Sequence, residues 1–438
     1  MRRLSEYLRS LNPELPRAVW ILQAGGLANF FGNGVVIPFL IIYLHNVRGL
    51  SLATAGLIAA TNALAALVSG PLAGTLSDRL GPRRTLVGAL AIMAAAISLF
   101  PLIQEAWHAF LLNGLLGFGS GAFWPSQSAL VTGLTPRDRR HAAFAQQRVT
   151  MNLGFGLGGL TGGLIASTGS PGSFTTLFLL DAATFLAFAL ILSRVPAPAR
   201  HEDGGESGSY RDVLRNRPFM SFAALNALFV MVGIVPLSEF LPVFVKNHAG
   251  VSEHGIGILF LVNTLTIVAL QLPISKLQEG RRRMAALAAM GVLWSASWLV
   301  VLATGAWLRG GVALGALLVS VGIVFAVGEC LHGTVQGPMV VDLAQPRLIG
   351  RYMAVSSLSW QVAFIAGPAA GGAILGAEPL ALWPLAAVLA LVGAAWALSL
   401  ERRLPRAALR TPARPLLRPE PAGAEAAPAP GMAARPSG

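Results

Sequence analysis

Three reactive side chains lie together in the stretch VGECLHG, residues 327–333: Glu329, Cys330 and His332. In an α-helix Glu329 and His332, three residues apart, share a face, whereas Cys330 is turned about 100° from Glu329. A metal site needs three or four ligands, and no other His or Cys of the chain lies well inside an apolar stretch to complete one. Two interpretations stay open: a site that binds a proton or a cation, or a hydrogen-bonded pair that only fixes helix packing.

The elements that must position these residues are long apolar runs. The chain has 438 residues, 54% hydrophobic and 12% charged, against about 25% charged in soluble domains. Its mean hydropathy is +0.65. A hydrocarbon core roughly 30 Å thick needs about 20 apolar residues per helix. The sequence therefore predicts an all-α integral membrane protein with twelve transmembrane helices, at 18–44, 51–73, 85–104, 107–132, 143–168, 174–194, 218–245, 254–275, 284–304, 311–338, 351–374 and 380–400.

The basic residues indicate how these helices are oriented. Lys and Arg number 32 against 19 Asp and Glu, a formal net charge of +13. With the N-terminus in the cytoplasm, 28 basic residues fall on the cytoplasmic side and 3 on the other, while Arg148 lies inside the fifth span. This asymmetry follows the positive-inside rule, so the charge indicates topology rather than nucleic-acid binding. We predict a multi-pass inner-membrane protein with both termini cytoplasmic, and call its two surfaces the arginine-rich and arginine-poor sides.

Polar stretches divide the chain into parts. The longest interruption between spans separates six spans from six, and includes a short amphipathic piece at Tyr210–Asn216. The end of the chain is rich in Pro, Ala and Arg and has no route to a packed core. The predicted parts are an N-terminal bundle 1–194, a cytoplasmic linker 195–217, a C-terminal bundle 218–400 and a disordered cytoplasmic tail 401–438.

The two bundles repeat each other. The loop GTLSDRLGPRRTL (74–86) aligns with ISKLQEGRRRMAAL (274–287), and GLGGLTGG (156–163) aligns with IAGPAAGG (365–372). The offsets, 199 and about 209 residues, indicate two tandem six-helix halves. Such repeats are typical of transporters that alternate access to a site near the membrane midplane.

Three acidic residues lie well within spans: Asp181, Glu239 and Glu329. A carboxylate at the bilayer centre costs about 2.5–3.5 kcal/mol unless it finds a partner, a proton or water. With His332, these residues are therefore candidates for proton coupling or substrate binding. Glu239 could face an outer vestibule, attract a cationic substrate or only be hydrated, and a structural role is favoured for Asp181. Arg148 could line the inner cavity, but extension to the inner surface is favoured.

The loop after the second span resembles a known signature. Gly74-Thr-Leu-Ser-Asp78-Arg79-Leu-Gly81-Pro-Arg83-Arg84 is similar to the G-x-L-a-D-r-x-G-r-[kr] motif of the major facilitator superfamily, and the resemblance covers residues 15–400. It implies a substrate cavity between two bundles that rock against each other. It also implies a gating role for Gly74, Asp78, Arg79, Gly81, Arg83 and Arg84. The alternative is a basic loop that only sets topology. Leu277 replaces the Asp in the second copy, so only the first half should carry an acidic gate.

Glycines of the fifth span are similar to the g-x-x-x-G-P-x-x-G-G motif of exporters in that superfamily, with Gly159 in the proline position. Small residues at this spacing let helices approach closely, and simple packing is the alternative explanation. The eleventh span keeps the proline. The packing residues predicted in the two spans are Gly154, Gly158, Gly162, Gly163, Gly367, Pro368 and Gly371. In the fourth span Asn113 stands where many proton-coupled members have an arginine.

Amide and aromatic side chains within the spans suit a large, mostly apolar cavity with few fixed polar groups. The candidates for its lining are Asn29, Asn33, Asn113, Trp124, Gln127, Asn152, Gln336, Trp360 and Gln361.

Together these features predict a secondary active transporter of the multidrug antiporter type, exporting hydrophobic or amphipathic small molecules in exchange for protons. No G-x-x-x-x-G-K-[ST] loop for ATP occurs in the sequence. The alternatives are a uniporter or importer of a small metabolite and a membrane sensor or scaffold. An enzyme is disfavoured because Glu329 and His332 lack a third ligand or a nucleophile. We expect no cofactor, no metal and no nucleic acid. The expected partners are a small-molecule substrate, the proton and the lipid bilayer, and the expected state is a monomer.

Overall fold

The computed structural model describes residues 15–136, 139–196, 210–307, 311–345 and 348–411. Twelve long helices account for most of these residues, as the sequence predicts. They are α1 Arg17–Val47, α2 Leu52–Leu80, α3 Pro82–Ser98, α4 Ala106–Leu134, α5 Arg140–Ile165, α6 Gly172–Leu192, α7 Arg217–Ala249, α8 Glu253–Leu277, α9 Arg283–Trp307, α10 Gly311–Leu343, α11 Ile349–Ala377 and α12 Leu382–Glu401.

Ten of the twelve helices are long and apolar enough to cross a membrane by length and composition alone. The other two, α4 and α5, contain many glycines and several amides or hydroxyls, which lower their mean hydropathy. Each is long enough to span a membrane, at 29 and 26 residues. The twelve-helix membrane fold is confirmed.

The helices form two six-helix halves with matching contacts. In the first half α1 packs on α5 and α6, α2 on α4, and α3 on α4 and α6. In the second half α7 packs on α11 and α12, α8 on α10, and α9 on α10 and α12. The halves meet through two equivalent pairs, α2 with α11 and α5 with α8. The two halves that repeat in sequence therefore also have the same helix-to-helix contacts.

Helix α7 contains two π turns, Val230–Ile234 and Pro236–Phe240. Pro236 has no N–H to bond the carbonyl of Val232 four residues earlier. That carbonyl instead accepts a hydrogen bond from Nε1 of Trp298 in α9, at 2.8 Å. Wide turns of this kind are frequent at functional sites, and Glu239 lies in the second one.

The start of the C-terminal tail is ordered, which corrects the prediction of disorder from residue 401. Residues 402–411 fold back beneath the second half, where Arg283 N donates to Leu409 O at 3.0 Å and Gly280 N donates to Thr411 O at 2.9 Å. Ala408 is fully buried. Backbone pairing with the loop before α9 supplies the partners that composition alone does not reveal. Residues 412–438 lie outside the described residues.

The linker between the halves contains a short helix at Tyr210–Arg215, where the sequence predicts an amphipathic piece. Val213 is its buried residue. The following Asn216 caps α7 by accepting from Phe219 N at 3.2 Å and donates to Tyr352 Oη at 2.8 Å. The linker therefore packs on α11 at this end, while residues 197–209 lie outside the described part.

Candidate functional site

The predicted gating loop lies at the arginine-rich ends of α2 and α3. Gly81 joins the two helices with φ of 87°, a conformation that only glycine adopts without strain. Arg83 Nη1 donates to Val195 O at the end of α6, at 2.8 Å. Gly74 faces open space, and Arg79 and Arg84 are exposed. The side chain of Asp78 lies outside the described residues, so its gating role stays a prediction.

The predicted glycines of α5 serve two different neighbours. Gly154, Gly158 and Gly162 lie against the backbone of α1, and a Cβ on Gly158 would lie 2.9 Å from Gly34 Cα. Gly163, on another face, crosses to the second half, where its Cβ would lie 2.8 Å from Gly257 Cα. One motif thus provides both packing inside the first half and close approach between the halves.

Helix α11 repeats this arrangement in the second half. Gly367 and Gly371 pack on α7, with a Cβ on Gly367 3.0 Å from Val235. Pro368 and the neighbouring Gly372 face α2, where a Cβ on Gly372 would lie 2.9 Å from Gly56 Cα. The crossings α5–α8 and α11–α2 are therefore equivalent glycine contacts near the arginine-poor ends of the helices.

Polar contacts also join the halves on the arginine-poor side. Asn46 of α1 donates to Asn247 of α7 at 2.8 Å. Glu253 at the start of α8 accepts from the backbone N of Thr168 and from Lys246 Nζ, both at 2.8 Å. Sequence reasoning missed the contacts between the halves because Asn46 and Asn247, like Thr168 and Glu253, are common polar residues far apart in the chain. They hold the arginine-poor ends of the two halves together.

Glu329 of α10 lies between α8 and the first half. Its Oε2 accepts from Asn263 Nδ2 of α8 at 2.8 Å. Arg148 reaches it from α5: the guanidinium lies against Gly333, one turn from Glu329, and is near enough to the carboxylate for their charges to attract. A Cβ on Gly333 would overlap Nη2 of Arg148 and lie 2.9 Å from its Cζ. An arginine of one half therefore occupies space that a glycine leaves open in the other.

This position corrects the expectation that Arg148 extends to the arginine-rich surface. The residue is exposed in the cleft between the halves, and it lies eight residues, about 12 Å, beyond Arg140 at the start of α5. The signal was present in the sequence as Gly333 opposite a lone intramembrane arginine. It could not be used without knowing that α5 and α10 face each other.

His332 has partners different from those of Glu329. Its Nε2 lies 2.9 Å from Oδ1 of Asn226 in α7, and Asn226 Nδ2 donates to Ser359 Oγ of α11 at 2.8 Å. The imidazole is 5% exposed and its ring lies 5.9 Å from that of Trp360. The predicted Glu329–His332 pair is therefore divided: Glu329 faces α8 and the cleft, whereas His332 belongs to a hydrogen-bonded network inside the second half.

The other two intramembrane carboxyls differ in setting. Asp181 is 2% exposed where α6 packs on Gly32 of α1, and its Oδ1 accepts from Thr184 Oγ1 at 3.3 Å. The structural role of Asp181 stays a prediction. Glu239 lies in a π turn of α7 that contacts α1 and α11, and its buried Oε2 has no hydrogen-bond partner among the described residues.

Several cavity candidates are buried or hydrogen-bonded to a neighbouring helix. Asn113 Nδ2 donates to Ile58 O at 2.5 Å and ties α4 to α2. Gln336 Nε2 donates to Ser356 Oγ at 3.1 Å, between α10 and α11. Asn29 and Gln127 are each 1% exposed, so neither presents its side chain to an open cavity.

Aromatic candidates form two surfaces. Phe30 lies 5.8 Å from Trp124 and 6.0 Å from Phe155, which brings α1, α4 and α5 together, and Trp124 is 46% exposed. In the second half Trp360 stacks with Phe364 at 6.5 Å. Asn33, Asn152, Trp360 and Gln361 are half-buried.

A twelve-helix fold with two repeated halves, and charged and aromatic side chains between them, defines a class of protein: a membrane transporter. Comparison with known families identifies which one. The Major Facilitator Superfamily matches residues 24–252 and 237–433, and the chain belongs to that family. Its members are transporters and not enzymes, so this chain is a multi-pass membrane transporter of a small-molecule substrate.

Relatives agree with this assignment. The MFS-type transporter YqjV of Bacillus subtilis is 23% identical over 362 residues, 81% of this chain and 85% of the relative. Multidrug resistance protein MdtH of Aeromonas hydrophila is 26% identical over 367 residues, 81% of this chain and 87% of the relative. A solved POT family transporter in complex with 5-aminolevulinic acid has a TM-score of 0.72 at 16% identity, covering 89% and 96% of the two chains. At that identity the structural likeness shows the fold alone.

Proposed function

We propose that this transporter exports hydrophobic or amphipathic small molecules in exchange for protons, with Glu329 as the proton-binding group. The observation that carries the proposal is the placement of Arg148 from the first half against Gly333 of the second, beside Glu329. Glu329 of the second half, whose charge changes when it binds a proton, thus lies opposite Arg148 of the first half, whose charge is fixed.

The direction of coupling follows from this geometry. Arg148 and Gly333 lie eight and ten residues from the arginine-rich ends of α5 and α10. Ionised Glu329 attracts Arg148 and favours closure of the cleft on that side. A proton on Glu329 removes the attraction and favours opening there. Exchange results when substrate and proton bind alternately. Binding of a proton to Glu329 opens the transporter on the arginine-rich side. Release of that proton, when substrate binds, closes the same side behind the substrate.

Few other charges surround this pair. The neighbours from α10 itself are Cys330 and His332, and α8 presents the neutral Asn263. The membrane part of α9, after Arg283, contains no charged residue in the sequence, and the charged residues of α7 are Arg217 at its start and Glu239 and Lys246 toward its arginine-poor end. Arg148 is therefore the charged partner that responds to the proton on Glu329.

The substrate class is inferred from the aromatic surfaces. Trp124 is 46% exposed beside Phe30, and in the second half the half-buried Trp360 stacks with Phe364. Flat apolar side chains with few fixed polar groups bind varied amphipathic molecules. The MdtH relative is named for multidrug resistance, which agrees with this class.

We also propose how the parts act in the membrane. The bundles 1–194 and 218–400 rock about the α2–α11 and α5–α8 crossings. The loop from Gly74 to Arg84 gates the cytoplasmic side of an inner membrane, both termini are cytoplasmic, and the working unit is a monomer.

The test is dye accumulation in cells, with and without a protonophore. Cells expressing the chain should accumulate less ethidium and Nile red than control cells, and the protonophore should abolish the difference. Glu329→Gln should behave like protonophore-treated cells. Glu378→Gln, which removes an exposed carboxyl at the end of α11, is the matched control and should behave like the unmodified chain.

Unchanged accumulation across chemically diverse dyes would contradict export. Export that persists with the protonophore and in Glu329→Gln would contradict coupling through Glu329.

A further inference from the structure

A cavity of about 400 Å³ opens between the arginine-rich ends of α7 and α12. It is lined by Arg217, Pro218 and Ser221 at the start of α7, and by Leu400 and Arg403 at the end of α12. It lies on the outer flank of the second half, away from the cleft that contains Glu329.

The two arginines of this cavity lack a counter-charge. Arg217 and Arg403 are exposed, and neither forms an ion pair or a side-chain hydrogen bond with the described residues. Glu401, the acidic residue nearest to Arg403 in sequence, is paired with Arg282, whose Nε and Nη2 donate to its two oxygens at 2.7 and 2.6 Å. Two like charges beside one cavity repel each other, so the cavity favours an anion that accepts from both.

The depth of the cavity indicates what kind of anion. Arg217 begins α7 and Arg403 follows the end of α12, so both lie at the level of the lipid headgroups on the arginine-rich side. Trp396 of α12 donates through Nε1 to Ser221 Oγ at 3.2 Å, beside the cavity. Tryptophan is enriched at this interface because one end of its ring system is polar.

The surface that continues into the membrane is apolar. Val392 of α12 lies one turn before Trp396, which is beside the cavity, and is 50% exposed. An acyl chain can lie along this face while its headgroup reaches the arginines. A free phosphate ion would use the same donors but would gain nothing from the apolar surface.

We propose that this cavity binds the phosphate headgroup of an anionic phospholipid from the arginine-rich leaflet. The two guanidinium groups recognise the phosphate, and the start of α7 and the end of α12 are held together by the lipid. The site is independent of the proposed proton coupling, because none of its residues lies in the cleft.

The experiment uses the full chain purified in detergent and native mass spectrometry. Phosphatidylglycerol is titrated against phosphatidylcholine and, in a third arm, against inorganic phosphate. The unmodified chain should retain one phosphatidylglycerol in preference to phosphatidylcholine. Arg217→Gln with Arg403→Gln should weaken retention about 25-fold, since each basic residue near an anionic surface contributes about five-fold. Arg402→Gln, an exposed neighbour that does not line the cavity, is the matched control and should retain the lipid.

Arg403→Gln alone should weaken retention about five-fold, and it leaves the first residue of α7 unchanged if the double variant does not fold. Equal retention by the double variant and by Arg402→Gln would overturn the proposal. So would equal retention of the two lipids. Inorganic phosphate that removes the bound lipid at micromolar concentration would show a simple anion site and would overturn the assignment to a lipid.

Discussion

Replacing Gly333 with Ala should move Arg148 without changing any charge. A Cβ at this position would overlap Nη2 of Arg148 and lie 2.9 Å from Cζ, whereas carbon–carbon contacts need about 3.5–4.0 Å. The guanidinium must therefore retreat by roughly 1 Å. It is the far end of a flexible side chain, so the fold should tolerate the change. Gly337→Ala is the matched control, because it lies one turn further along α10 and its Cβ would meet nothing within 4 Å.

The size of the effect of Gly333→Ala follows from the coupling between Arg148 and Glu329, which the displacement weakens. Energetic couplings between sites are typically about 1–3 kcal/mol, which corresponds to about 5–150-fold in an equilibrium. A partial displacement of Arg148 from Glu329 should change the free energy by an amount at the lower end of this range. We expect the equilibrium between closed and open forms on the arginine-rich side to shift about five-fold toward the open form. Both alanines gain about 1 kcal/mol of helix propensity over glycine, so that contribution cancels between Gly333→Ala and its control.

The assay is pulsed electron spin resonance between two labels on the arginine-rich side. Ser193 at the end of α6 and Ser399 near the end of α12 are exposed, and each hydroxyl bonds only within its own helix. Both are changed to Cys for labelling in a Cys330→Ala background. Distances are recorded at pH 5 and pH 8. In the parent protein the longer distance should be more populated at pH 5. In Gly333→Ala it should also be populated at pH 8, and Gly337→Ala should match the parent.

Identical distance distributions for Gly333→Ala and Gly337→Ala at both pH values would refute the reasoning. A pH response that survives in Arg148→Gln would refute it independently, because the conformational change would then not depend on attraction between Arg148 and ionised Glu329.

Three further predictions follow from the packing. Gly163→Leu should keep the arginine-poor ends apart and reduce transport at least about ten-fold, because even a Cβ would lie 2.8 Å from Gly257 Cα; labels on that side should report longer distances. Removing the residues after Thr411 should leave the melting temperature unchanged, whereas removing those after Arg403 should lower it by several degrees, because residues 404–411 pair with the backbone before α9 and Ala408 O accepts from the buried Arg283 side chain. Asp181→Asn should cost about 1 kcal/mol or less in stability and leave the protonophore sensitivity of dye export unchanged; loss of that sensitivity would reassign Asp181 to coupling.

The sequence by itself determined the membrane fold. Hydropathy is a local property of each segment, so twelve spans and the repeat at offsets of 199 and about 209 residues can be counted without any long-range contact. The glycines of α5 and α11 were also predictable as packing residues. Close backbone approach requires the absence of a Cβ, and Gly163 opposite Gly257 shows this directly.

Only the tertiary structure decided which polar groups meet. Helical spacing put Glu329 and His332 on one face, but a difference of about 60° around the axis is enough to give them different neighbouring helices. Glu329 forms a hydrogen bond with Asn263 of α8, and His332 forms one with Asn226 of α7.

The role of Arg148 has the same origin. An arginine inside a span can reach a surface or a partner, and the choice depends on the space opposite it. Gly333 provides that space, but it is 185 residues away and in the other half of the chain. The spans follow from how each segment interacts with lipid, whereas the site follows from how segments from the two halves pack on each other, which no local pattern records.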